Sequence, residues 1–408
     1  MGLFDEAASA FRVVLASSAL PSATAADAWS GLGECLQRQG EAALAAADRD
    51  PDPGPGTRPA AVAAACVAFE GAVTAYARVP GPVAGLGGPG LLRPDAAVNA
   101  ANTLCSLGSL VDGQAAAASH LATAIALYRG ALDAEAAAVS AGEALPDAGT
   151  ATNLADALAQ RAALLPSRAA FAEADAAYRA AVGACSSDNG DDLPGLLVNW
   201  AAATASAASG LGNDPALLAT AAARFREAAA FGRSDPAPLA GLGDALFEMA
   251  GAIATASGGV GALPGADPES AAILESAMGE GYRAALALDR RFADAHAGCG
   301  DVFLAQSRAA RAARDEAVSA SFASEAAAAY QRAFDVPPAS PRSLGGWQAR
   351  AEAGWNCACA LALAGKSEEC VAVLQGLLAR EPGLAGEVLA DDDLAGCAGV
   401  RGWLETHN

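Results

Sequence analysis

Seven times along the chain an aromatic ring follows four positions after a residue that is small in every copy but one. The copies are Ala7 and Phe11, Ala72 and Tyr76, Ala124 and Tyr128, Ala174 and Tyr178, Ala221 and Phe225, Met278 and Tyr282, and Ala326 and Tyr330. Only the sixth departs, with Met278 in the small place. Positions four apart share one helix face, so the small residue admits a neighbouring helix and the ring fills the space beside it. A unit repeated this often is one element of an array whose copies pack on each other. The expected fold is therefore all-α, an α-solenoid of stacked helix pairs.

Composition narrows the partners. Apolar residues make up 53% of the chain and aromatics only 5%. An alanine-rich core buries little area per residue, so packing must come from close backbone approach and a few rings. Runs alternating β-branched and polar residues are absent, which argues against sheet. The net charge is −21, from 46 acidic and 25 basic residues. Such a surface does not neutralise phosphates, so nucleic acid is not an expected partner, whereas a basic protein or peptide is. Nine cysteines, an odd number, include Cys35, Cys66, Cys299 and Cys357 at small-residue helix positions. With the acidic opening residues they point to a reducing compartment, cytoplasmic or organellar. The uncharged stretch 193–212 carries Pro194, Asn199 and several Ser and Thr residues, so membrane insertion is not expected.

Along the chain, residues 1–93 read as divergent helices with Pro/Gly-rich loops, 94–380 as a repeat array and 381–408 as a capping segment. Pro80 to Pro94 reads as a flexible connection. Helix pairs are expected near 95–109 and 114–140, 147–163 and 167–184, 194–209 and 215–231, 237–256 and 268–288, 291–309 and 311–335, and 345–364 and 367–380. The first helices share a pattern of their own: Trp29, Leu32, Gly33, Leu36; Leu239, Leu242, Gly243, Leu246; and His296, Cys299, Gly300, Phe303. Weaker copies are Leu154, Ala155, Leu158 and Cys357, Ala358, Leu361. With the small-x3-aromatic second helix, this order resembles the tetratricopeptide repeat (TPR) family over nearly the whole chain. The resemblance implies a right-handed superhelix of antiparallel pairs whose first helices line a concave surface. The rings stand 47 to 65 residues apart, against a family unit of about 34, so loops and helices must be longer. In the tail, Leu389, Asp391, Leu394, Trp403 and Leu404 are expected to close the last apolar face, with Trp403 and Leu404 as the cover.

Motifs for chemistry fail in context. Gly85, Gly87 and Gly90 match G-x-G-x-x-G, but Pro89 interrupts it and no strand leads in. Gly365, Lys366 and Ser367 fit a turn between helices. Cys357 and Cys359 are two apart on a helix and point to different faces. His120, His296 and His407 are far apart in sequence, and His296 occupies a packing position. Neither a catalytic residue, a metal nor a cofactor is expected, and the chain reads as a non-enzyme.

One polar row stands out. Two positions after a packing residue of the first helix come Glu34, Asn102, Asp156, Asp244 and Asp301; one position before it come Asn99, Asn153, Asn199 and Asn356. Amides in a concave row hold an extended peptide backbone and carboxylates select Arg or Lys. The same asparagines can instead join helices by hydrogen bonds, with the acids solvated. The leading expectation is a protein-binding scaffold or assembly factor using this groove; a structural subunit of a larger assembly and the regulatory subunit of an enzyme are the alternatives. Reversing the charges of Asp156, Asp244 and Asp301 is expected to weaken binding without unfolding.

Overall fold

A computed structural model describes residues 2–17, 20–49, 57–84, 91–111, 113–142, 148–185, 193–258, 263–337, 344, 346–388, 390–397, 399–400 and 403. The chain divides into two compact units, Met1–Leu211 and Gly212–Asn408. Both are helical repeats built from consecutive antiparallel pairs, as the periodic rings predict.

The first unit holds α1 (Gly2–Leu15), α2 (Ser22–Arg49), α3 (Thr57–Tyr76), α4 (Pro94–Leu110), α5 (Gln114–Ser140), α6 (Ala148–Leu164), α7 (Arg168–Ala184) and α8 (Leu193–Gly210). Pairs form between α2 and α3, α4 and α5, and α6 and α7, while α1 packs on α2 and α8 on α6 and α7. The composition shift at residue 93 does not interrupt the stack, because α3 also packs on α4. The connection before α4 holds a strand pairing that the sequence does not suggest. There β1 (Pro80–Ala84) and β2 (Leu91–Leu92) pair antiparallel with a register shift between Pro80 and Val83. Gly81 permits that irregularity: a Cβ there would stand 2.0 Å from the Arg93 backbone nitrogen. Val79 and Leu92 are buried on either side of it.

The second unit runs through α9 (Pro215–Phe231), α10 (Ala237–Gly258), α11 (Pro268–Ser276), α12 (Ala284–Leu288), α13 (Ala293–Ala312), α14 (Glu316–Phe334), α15 (Gly346–Leu363) and α16 (Ser367–Arg380), closed by α17 (Ala385–Val388) and α18 (Asp392–Ala395). Between α11 and α12 lies a π-helical turn, Ala277–Arg283. Ala277 and Met278 are both buried at its start, so the large residue in the sixth copy is taken into the core where the helix widens.

The rings do what their spacing implies. Tyr76, Tyr128, Tyr178, Tyr282 and Tyr330 are at most 2% exposed. Several first helices offer glycines two apart, which lie on nearly opposite helix sides. In α10, Gly241 meets the preceding ring, Phe225, and Gly243 meets the ring of its own pair, Tyr282. In α13, Gly298 meets Tyr282 and Gly300 meets Tyr330; in α2, Gly31 meets Phe11 and Gly33 meets Tyr76. Each of these helices is gripped between two rings. At all six glycines an added Cβ would fall 2.1–2.7 Å from a ring atom.

At the C-terminal end, Val388, Leu394, Cys397 and Val400 are buried in one cluster with Cys359, Leu361 and Leu374. These residues, more than the tryptophan expected from the sequence, close the apolar face. Trp403 is half-buried against the same cluster, and Leu389 and Leu404 lie outside the described residues. Polar clamps hold the cap in place. Trp355 Nε1 donates to Asp391 at 3.0 Å, while Arg308 and Arg311 of α13 donate to Asp393 at 2.7 and 3.1 Å.

Candidate functional site

The polar row predicted from the sequence is present on the first helices, and most of its acids are held by the core tyrosines. Each ring is buried, so its hydroxyl must find an acceptor at the rim. Tyr128 donates to Asn102 Oδ1 at 2.5 Å and Tyr178 to Asp156 Oδ1 at 2.5 Å; Tyr282 donates to Asp244 Oδ1 at 2.7 Å and Tyr330 to Asp301 Oδ1 at 2.6 Å. The first pair differs. Tyr76 reaches Gln37 Oε1 at 3.3 Å, and Thr103 of α4 shares that oxygen at 3.2 Å. Glu34 stays exposed, and its expected place falls to Gln37 one turn later.

The asparagines divide into two groups. Asn199 donates to Asp156 Oδ2 at 3.2 Å and Asn356 to Asp301 Oδ1 at 3.1 Å, each joining one repeat to the repeat before it. Asn99 and Asn153 are half-buried and make no side-chain hydrogen bond to the described residues. In the other first helices the same position is glycine: Gly31, Gly241 and Gly298. Where glycine stands, the preceding ring packs against it; where asparagine stands, its amide can reach back to the preceding acid. A reading from the first helix alone does not reveal this alternation.

Asp244 is therefore the odd member. The repeat after it carries Gly298, so among the described residues no asparagine amide reaches it, and the residue is exposed. Surrounding protein and the charges of Asp301, Asp294 and Glu248 push its pKa up to about 7, against the lowering effect of the Tyr282 hydroxyl. Asp301 is pushed up to about 6, mainly by burial, with the Tyr330 and Asn356 hydrogen bonds pulling the other way. Burial likewise raises Asp156. A raised carboxyl pKa means that the folded state keeps a proton which the unfolded chain has released between about pH 4 and 7. Stability from this group therefore falls as pH rises through that window. Asp244→Asn keeps an acceptor for Tyr282 and removes the charge. The variant should melt above wild type at pH 8 and converge with it near pH 4.5; parallel Tm curves would show that Asp244 does not titrate in this range.

The remaining candidates take structural roles. Cys359, Asp391 and Asp393 bring three potential ligand atoms within 4.8 Å of one another. The carboxylate oxygens are already used by Trp355, by the backbone amides of Asp393 and Leu394, and by Arg308 and Arg311, whose charges oppose a cation. His296 Nε2 lies 3.0 Å from the Arg290 carbonyl oxygen, a packing contact. Gly365, at φ +74°, turns the chain between α15 and α16. Gly85, Gly87, Gly90 and His407 lie outside the described residues. The segment Pro59–Tyr76 and helix α10 are long and apolar enough to cross a membrane. Each packs within a helix pair here.

No protein-family model matches the chain, and no curated protein does. Among solved structures, a "circular tandem repeat protein with novel repeat topology and enhanced subunit contact surfaces" aligns over 99% of this chain and 88% of its own. The identity is 14% and the TM-score 0.32, a likeness too slight to carry any argument.

Proposed function

We propose that this chain is a divergent TPR protein without catalytic activity, a scaffold or assembly factor that holds a partner protein or an extended basic peptide along its first helices. Support for the family comes from the ring-and-glycine contacts repeated at Gly33, Gly243 and Gly300. The observation that carries the binding reading is Asp244: one oxygen accepts from Tyr282 while the residue as a whole is exposed, an oriented acceptor for an Arg or Lys side chain. Asn99 and Asn153 supply amides for peptide backbone in the first unit. The proposal includes a reducing compartment and neither nucleic acid, membrane insertion nor a cofactor.

The tyrosine contacts change how this is tested. Reversing the acids would strand the Tyr178, Tyr282 and Tyr330 hydroxyls at the rim of the core, so the isosteric amides are the cleaner variants. Asp156→Asn, Asp244→Asn and Asp301→Asn together keep acceptors for all three hydroxyls and remove three charges. At up to about 1 kcal/mol per exposed pair, the triple variant should lose roughly tenfold or more in affinity for Arg/Lys-rich peptides at low salt. Undiminished peptide binding by a triple variant that melts no lower than wild type would reject the groove.

A further inference from the structure

We infer that the outer face of α1 pairs with α1 of a second copy of this chain, antiparallel and about a two-fold axis. Of the nine large apolar side chains exposed among the described residues, four lie on this one helix, and three of them, Leu3, Val13 and Val14, on its outer side; Phe4 falls on the side of Ala8 and Phe11. Leu3 is 82% exposed and Val13 74%. The opposite face is already committed, with Ala8 buried, Phe11 against Gly31 of α2, and Leu15 on the core.

The two flanks of the exposed face are each complementary to themselves. At 100° per residue, Leu3, Ala10 and Val14 form one flank, Asp5 and Arg12 the other, and exposed Glu6, Ser9 and Val13 run between them. A two-fold axis level with residues 8 and 9 sets residue 3 beside residue 14, and residue 5 beside residue 12, of the other copy. Because that axis keeps each flank on its own side, Leu3 meets Val14 of the second copy and Asp5 meets its Arg12, and each contact occurs twice. Small Ser9 and Ala10 at the centre let the helices approach. The charges suit this. Arg12 has no ion-pair partner among the described residues, and Asp5 accepts from Gln39 through Oδ1 at 2.7 Å, leaving Oδ2 for a guanidinium.

Fourteen residues make a helix about 21 Å long, which buries less than the roughly 1,200 Å² of a standard interface, so the pairing is weak and reversible. Sedimentation equilibrium of the full chain should show dimers appearing toward roughly 100 μM. Arg12→Asp should raise the dimer Kd by about tenfold by setting like charges opposite each other twice. Leu3→Glu should do the same from the other flank. Asp5→Arg combined with Arg12→Asp should return the Kd to within about threefold of wild type. A chain that stays monomeric to about 1 mM, as expected if another protein or a lipid surface covers this face, overturns the inference. So does a dimer indifferent to both single variants, or a double variant of wild-type Tm that fails to recover.

Discussion

Tyr178→Ala or Tyr128→Ala should lower the unfolding free energy by about 3–5 kcal/mol, the range for emptying a ring-sized volume from a packed core. Both rings are 2% exposed and stand where first and second helices of a pair close on each other. Tyr178 also stacks on Trp200 of α8, with centroids 6.2 Å apart and planes 16° from parallel, so its loss loosens the next helix as well. The hydroxyl is a separable part. Tyr178→Phe keeps the packing and gives up only the bond to Asp156, worth about 0.5–1.5 kcal/mol. Chemical denaturation of the two variants measures both. An alanine variant with the midpoint and slope of wild type would remove the ring from its central place in the fold.

Gly298→Ala should destabilise, against the ordinary expectation for a helix. Within an α-helix, alanine is normally better than glycine by about 1 kcal/mol. Here the new methyl would lie 2.1 Å from Cε1 of Tyr282, a ring that is itself held against Gly243 and has no open side to move toward. Overpacking of this kind costs about 1–3 kcal/mol. Gly376 in α16 is the internal control, since a Cβ there meets nothing within 4 Å and Gly376→Ala should follow the normal rule. Equal gains in Tm for the two variants would show that the close approach at Gly298 is not real.

The sequence makes the rings legible because a buried aromatic beside a small residue has a fixed spacing on an α-helix. It gives no sign of the π turn at Ala277–Arg283, because the extra residue leaves no mark in the composition. The polar row is legible as a row and not as a set of bonds. Asp156, Asp244 and Asp301 each give an oxygen to a tyrosine some twenty to forty positions away, and no local pattern states which ring comes over which helix. The same reason hides the first glycine of each pair: Gly241 and Gly298 matter through rings of the preceding repeat. Gln37 in place of Glu34 is a shift of one turn, and the equal polarity of the two positions left no way to choose between them. The β1–β2 pairing escaped for a different reason. Five residues rich in Pro and Gly read as a linker, and only the bulge at Gly81 allows them to pair at all.

Tyr282 touches glycines of two successive helices, so it belongs to neither repeat alone. A helix pair in this stretch cannot peel away without uncovering the ring on which its neighbour also leans. The consequence is that α10 through α14 behave as one mechanical block, with cooperativity extending beyond the nominal repeat. At Asn199 and Asn356, which stand in place of the first glycine, adjoining repeats are joined by a hydrogen bond at the rim instead, and the array has its natural seams there.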